Sequence, residues 1–341
     1  MPNTEGNRGL KLVAIGGGTG LSTLLAGLKQ FVGERRDGAW LESLSAIVTV
    51  SDDGGSSGRL REELQMLPPG DIRNCMIALS EDSTLLARLF RYRFGGSGDL
   101  AGHSFGNLFL AALTEVTGDF VEAVRLSSEV LASKGHIYPA TITDVRLVAE
   151  LEDGTEVYGE TQITGARARI HRLRLEPEKC LPLAKALAAI DEADVITIGP
   201  GSLYTSILPN LLVARVADAI GESKAIKIFA TNLMTQPGET DGYDVRRHLE
   251  TVDSYSPQIK FDYVIVNNRA ISEEQAALYR ADGAYQVKLD SFDKAVLDTE
   301  VIPADLLDDG DMVRHNSDRL ARVVLVCGEK ACHRPAALVE A

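Results

Sequence analysis

The chain is poor in cysteine, and what it has is scattered. Cys75, Cys180, Cys327 and Cys332 are too few for a disulfide framework, and no two stand in the C-x-x-C spacing of a structural zinc site. A reducing compartment is the expectation. No run of about twenty apolar residues is present to cross a bilayer, and the first ten residues are polar where a signal peptide would carry an apolar core. Membrane insertion is therefore not expected, and a cytoplasmic location is. Basic charge is also in deficit: 35 Lys and Arg against 49 Asp and Glu leave a formal net charge of −14 over 341 residues. That balance disfavours nucleic acid and anionic membrane as partners, although a local basic pocket can still take a phosphate. The expected ligand is a small phosphorylated molecule.

The stretch that organises the rest is KLVAIGGGTGLSTLLAGL, Lys11 to Leu28. Leu12 to Ile15 are continuously apolar, as in a strand buried on both faces of a parallel sheet, and Leu21, Leu24, Leu25 and Leu28 follow at helical spacing. Between them Gly16, Gly17, Gly18, Thr19 and Gly20 form a tight loop at a helix start, where free backbone N–H groups can hold a phosphate. The loop lacks a Walker lysine. It meets the dinucleotide fingerprint at Gly16 and Gly18 but carries Leu21 at the third glycine position.

The plan then recurs. A strand over Leu44 to Val50 runs into Ser51 to Gly58, where Asp52 and Asp53 can hold a ribose hydroxyl or Mg²⁺, with Asp53 the candidate metal ligand, or can simply cap the next helix. The turn Pro68 to Gly70 leads into a helix whose first turn carries Arg73 and Asn74; Arg73 there is either a solvated surface charge or a phosphate or carboxylate clamp. His103, Ser104 and Asn107 crowd another helix start, around a Gly106 that would let something approach closely.

Thr141 to Leu151 and Glu156 to Ile163 read as a hairpin, and Ala168 to Leu175 as a third strand, giving a small antiparallel insertion at about 140–175. Its arginines Arg167, Arg169, Arg172 and Arg174, with His171, make a basic strand, most simply a solvated face or a contact in a homo-oligomer. Strand-to-loop junctions resume at Gly199, Gly201 and Ser202, at Thr231 and Asn232, and at Asn268. Strands are expected at Tyr285 to Leu289 and Val296 to Ile302. Arg314 and His315 precede a closing helix that begins at Ser317. Residues 10–330 thus read as a single α/β domain with a mainly parallel sheet, and residues 1–9 and 331–341 as flexible tails. Ser104 beside His103 is adjacency only and assigns no catalytic residue.

Six ordered motifs carry a family resemblance: GGGTGL from Gly16, SDDGGSSGRLR from Ser51, PPGDIRNC from Pro68, GHSFGNL from Gly102, GPGSLYTSILPNLL from Gly199 and TNLMTQPGET from Thr231. The chain resembles the YvcK-like gluconeogenesis factors, which belong with the 2-phospholactate transferases in the CofD-like superfamily. The resemblance implies a Rossmann-like three-layer fold and a cytoplasmic protein linked to carbon metabolism and cell-envelope morphogenesis. It also implies UDP-sugars such as UDP-N-acetylglucosamine as ligands. The transferase branch joins 2-phospholactate to a deazaflavin precursor with Mg²⁺, and Asp52-Asp53 resembles its acidic pair. This chain departs from that branch at Leu21-Ser22-Thr23 and over Arg61 to Asn74. The favoured reading is a non-catalytic nucleotide-sugar-binding regulator, with a downstream protein partner that the sequence does not identify. The alternative is a Mg²⁺-dependent transferase.

Overall fold

The computed structural model describes residues 8–36, 39–81, 85–289 and 295–332. Strand β1 (Leu10–Gly16) is the hub of an eight-stranded sheet. On one side it pairs in parallel with β2 (Leu41–Val48), which pairs with β3 (His136–Pro139). On the other it pairs with β7 (Val195–Ile198), followed by β8 (Ile226–Ala230), β9 (Tyr263–Asn267) and β11 (Thr299–Ala304), all parallel. A short strand β10 (Ala295–Val296) closes the edge antiparallel to β11. The chain therefore works outward from β1 to β3, then returns to the centre at β7 and works outward the other way. Between β1 and β7 the strand order reverses, and in such folds that is where a crevice opens at the carboxyl ends of the strands.

Why β1 sits at the centre follows from its composition. Leu12, Val13, Ala14 and Ile15 are all buried, which only a strand covered on both faces allows. Helix α1 (Gly18–Leu28) lays Leu21, Leu24, Leu25 and Leu28 on the sheet. It packs against α3 (Gly70–Leu79) and against the last helix, α13 (Ser317–Cys332), forming one outer layer. Helices α8 (Ala184–Glu192), α9 (Leu208–Leu212), α10 (Val216–Glu222) and α11 (Val245–Tyr255) form the other. Between β2 and β3 run α2 (Gly55–Leu64), α3, α4 (Leu85–Arg91), α5 (Phe105–Thr117) and α6 (Phe120–Val130), and α12 (Glu273–Ala281) follows β9.

The insertion is a three-stranded antiparallel sheet, β5 (Glu156–Tyr158), β4 (Arg146–Leu151) and β6 (Ile170–Glu176) in spatial order. It differs from the expectation in one respect. The segment to Ile163 is not strand, because the chain turns at Gly159 (φ 89°) and coils into α7 (Glu160–Ala166). Further differences lie near the end of the chain. Tyr285 to Leu289 joins no sheet and makes only a bridge between Gln286 and Met234, and the expected strand Val296 to Ile302 is broken into the β10–β11 hairpin by Leu297 and Asp298, both at positive φ.

The expected tails also shorten. Arg8 is tied to Asp194 at 2.9 Å, and α13 continues through Cys332. Residues 1–7 and 333–341 lie outside the described residues. Among the described residues no single helix is long and apolar enough to cross a membrane.

Packing of α1 against α13 is close enough to exclude a side chain. A Cβ on Gly27 would run into the Ser317 carbonyl and lie 2.8 Å from Ala321 Cβ. Gly27→Leu is expected to lower stability by about 1–3 kcal/mol, the usual range for overpacking, read as a fall in thermal midpoint relative to Gly98→Ala, whose added Cβ meets no neighbour.

Candidate functional site

At the strand reversal the loops after β1 and β7 are pressed together. A Cβ on Gly20 would strike the Pro200 carbonyl, and one on Gly17 would sit 2.6 Å from Thr49 Cγ2 and 2.7 Å from an Asp71 carboxylate oxygen. Gly18 holds φ 62°, a left-handed conformation that a β-branched residue resists. Behind them the Gly16 carbonyl accepts from the Thr49 N–H at 3.0 Å and from Asn210 Nδ2 at 3.1 Å, which fixes the end of β1. The β7 loop turns at Gly199 (φ 80°) into a π-helical turn, Leu203–Ile207, capped by Ser202 Oγ accepting from the Thr205 N–H. Gly201 donates its N–H to Asn232 Oδ1 at 3.0 Å, which ties in the loop after β8.

These loops line a cleft of ≈ 460 Å³. Gly17, Gly18, Thr19, Gly20, Gly201, Ser202, Asn232 and Arg314 all contribute to it, together with Glu160 and Thr164 from α7, Tyr279 from α12, and Gln236, Val313 and His315. Arg314 makes no ion pair among the described residues. Of the expected site residues, Gly16, Asp52, Asp53, Gly199, Thr231 and Asn268 are not among those lining this cleft. Thr231 is buried with its hydroxyl on the Ile265 carbonyl, and Asn268 is exposed beyond the end of β9.

Arg73, Asn74, His103, Ser104 and Asn107 come together in a cluster of their own, none of them among the residues lining this cleft. Arg73 donates to Ser104 Oγ at 2.5 Å, to Asn107 Oδ1 at 3.1 Å and to Asn74 Oδ1 at 2.7 Å. Asn107 Nδ2 donates to Ser56 Oγ at 3.1 Å, and Ser56 Oγ lies 2.9 Å from His103 Nδ1. Since Asn107 donates to it, the Ser56 hydroxyl is free to donate to the imidazole. Asn74 hydrogen-bonds Asp71, whose carboxylate accepts the Gly18 N–H at 2.8 Å. One continuous chain of polar contacts thus links the glycine loop to His103. His103, Ser104 and Asn107 are all buried.

Carboxylates crowd one side. Asp52 accepts from the Gly54 N–H, and Asp53 accepts from the Thr161 N–H at 2.8 Å and its hydroxyl at 2.7 Å, capping α7. The capping role suggested by the sequence is thus real for Asp53, but on the insertion's helix and not on α2. Glu239, buried, accepts from Ser202 Oγ at 2.6 Å and Thr164 Oγ1 at 3.1 Å. Burial, and then the neighbouring Asp52, push Asp71 up to about 6. Glu160 is pushed up to about 9 by burial and by Asp52, Asp71, Glu239 and Asp53 in turn. A carboxyl of that kind stays protonated at neutral pH and presents a donor to the cleft. Among the described residues no group of three or more His, Cys, Asp or Glu side chains has the arrangement of a metal site.

Sequence reasoning missed Ser56, Asp71, Glu160, Gln236 and Glu239. Asp71 lay within a motif already quoted, two residues before Arg73. Glu160 was hidden because the segment after Tyr158 reads as strand.

Comparison with known proteins agrees with this architecture. The family model described as "2-phospho-L-lactate transferase CofD" matches residues 12–307. A protein of Halalkalibacterium halodurans named gluconeogenesis factor is 45% identical over 92% of this chain and 95% of its own length. One of the same name from Bacillus subtilis is 43% identical over 92% and 97%. A crystal structure of a UPF0052 family member from Bacillus halodurans superposes with a TM-score of 0.87 at 44% identity, covering 93% of this chain and 99% of that one.

The raised Glu160 carboxyl sets a sign for pH dependence. A group whose folded-state pKa exceeds its unfolded one stabilises below the unfolded value and loses that contribution as pH rises through the folded value, here from 4.5 to about 9. Glu160→Gln is neutral throughout. It should therefore gain stability over the parent as pH rises across that window, by about 1–3 kcal/mol at pH 8. Parallel melting curves from pH 4 to 9 check this, and curves that stay parallel would show Glu160 ionising normally.

Proposed function

The chain belongs to the CofD family, and on that premise we propose that it is a regulatory protein that binds a nucleotide sugar, UDP-N-acetylglucosamine or UDP-glucose. In this reading it acts in the cytoplasm as a gluconeogenesis factor needed for cell-envelope morphogenesis on gluconeogenic carbon sources. The observation that carries the proposal is the cleft at the strand reversal, floored by the start of α1 and the β7 loop, whose backbone suits a diphosphate. Arg314 stands at the same cleft as a cation for that diphosphate. The relatives named gluconeogenesis factor support the metabolic half of the reading. The buried hydroxyl–imidazole pair, Ser56 with His103, is not among the residues lining the cleft, which favours binding over catalysis.

Mg²⁺ fits only as a bridge. With no cluster of three protein ligands among the described residues, a cation would have to be shared between the Asp52 and Asp53 side and the ligand's phosphates, screening them from the carboxylates. The family model's name and the cleft-facing Glu160 favour transferase chemistry as a second reading, with Glu160 as proton donor.

Calorimetric titration with UDP-N-acetylglucosamine, with Mg²⁺ and then with EDTA, tests the proposal. Binding is expected, weakened tenfold or more in Gly18→Val; the parent affinity in a folded Gly18→Val variant would remove the glycine loop from the site. Binding indifferent to EDTA yet lost in Asp53→Ala would leave Asp53 a direct role and exclude the metal. Product formation with candidate acceptors, followed by mass spectrometry, would replace the regulatory reading with the transferase one.

A further inference from the structure

The cleft is chemically lopsided. Toward β2 it meets the carboxylates, with Glu160 on the wall and Asp71 behind the glycine loop. Toward β8 and β9 it is walled by Leu233, Met234, Val313 and Tyr279, and in that apolar end two polar atoms are buried with no partner among the described residues, Gln236 Oε1 and His315 Nε2. Buried polar atoms are nearly always paired, because leaving one unpaired forfeits its hydration with nothing in return. Two on the lining of one cleft mark where a ligand's donors go.

Each is held in place. Gln236 donates its backbone N–H to Thr240 Oγ1 at 2.8 Å and accepts from the Thr240 N–H at 2.9 Å. The strand-like pair beside it joins Thr235 to Tyr285 by two more bonds. The His315 ring donates from its other nitrogen to the Thr231 carbonyl, which fixes the tautomer and leaves Nε2 as a bare acceptor. Burial keeps the ring neutral by lowering its pKa to about 4, so the acceptor persists at physiological pH.

We propose that Gln236 and His315 are the nucleoside-recognising end of the cleft, Gln236 pairing with the O=C–N–H edge of a uracil ring and His315 Nε2 accepting from a ribose hydroxyl. This rests on the nucleotide-sugar reading and adds a direction to it. A carboxamide carries an acceptor and a donor side by side, which matches the carbonyl and N–H of an imide edge. The apolar walls suit the faces of a planar ring. The diphosphate then lies over the glycine loop, and the sugar points toward the carboxylates, whose oxygens accept from its hydroxyls.

Titration of the parent, Gln236→Leu and His315→Phe with UDP, N3-methyl-UDP and inorganic pyrophosphate tests the assignment. Gln236→Leu should melt no lower than the parent, since it removes an unpaired buried acceptor, whereas His315→Phe also gives up the bond to the Thr231 carbonyl and is compared only once its folding is confirmed by its melting transition. Both should bind UDP at least tenfold more weakly and pyrophosphate within twofold of the parent. The parent itself should bind N3-methyl-UDP at least tenfold more weakly than UDP. Unchanged UDP affinity in both variants, or an equal loss for pyrophosphate, overturns the assignment. So does a parent that binds pyrophosphate as tightly as UDP, and this leaves the diphosphate site standing. A parent that binds neither overturns the nucleotide reading together with this one.

Discussion

The cleft depends on how closely the loop after β1 approaches the loop after β7. With the Pro200 carbonyl lying where a Gly20 side chain would go, the two halves of the sheet meet backbone to backbone at the point where the strand order reverses. Any side chain there would wedge the halves apart and fill the crevice they enclose. The floor of the crevice is therefore main chain, and main chain at a helix start offers N–H groups in place of side-chain charge. On the proposed reading, an acidic protein can hold a phosphate there without a lysine in its loop.

The price of that arrangement is electrostatic tension with the carboxylates alongside. Asp71 takes the Gly18 N–H, the group an anion would want, and is itself hard to ionise because it is buried near Asp52. Arg73 does not reach the cleft to relieve this. Its guanidinium is engaged by Asn74, Ser104 and Asn107, and it acts on Asp71 from behind. The residues that looked like ligand contacts in α3 and α5 thus set the position and charge of the group that holds the loop. Their influence on Gly18 passes through Asn74 and Asp71.

Much of the fold was legible because burial leaves a plain pattern. The continuous apolar run of β1 and the i, i+3, i+4, i+7 leucines of α1 allow one arrangement, and every one of them is buried. Glycines and hydroxyls at strand ends likewise marked most of the cleft, since parallel strands present their carboxyl ends together. The rest failed for physical reasons. The segment Glu160 to Ile163 has strand-like composition, and the turn at Gly159 and the Asp53 cap, both tertiary facts, make it a helix. Asn268 was inferred from its place at a strand end, but the chain there bends to pair with Ala304 and leaves the side chain outside. Gln236 lies within the TNLMTQPGET stretch without standing out from it, and His315 carries no motif. Their standing comes from lacking partners, and a sequence cannot show a missing contact.

The packing of α1 on α13 has a consequence for the chain as it is made. Helix α1, which carries the glycine loop, is translated long before α13, which covers Gly27. β1 likewise waits for β7 while the whole insertion is being translated. The strand at the hub of the sheet thus spends much of its synthesis with one edge unpaired and its helix uncovered, the state in which chains aggregate or engage chaperones. A truncated product lacking α13 would carry every residue that lines the cleft, through His315, and yet leave the Gly27 side of α1 without its cover.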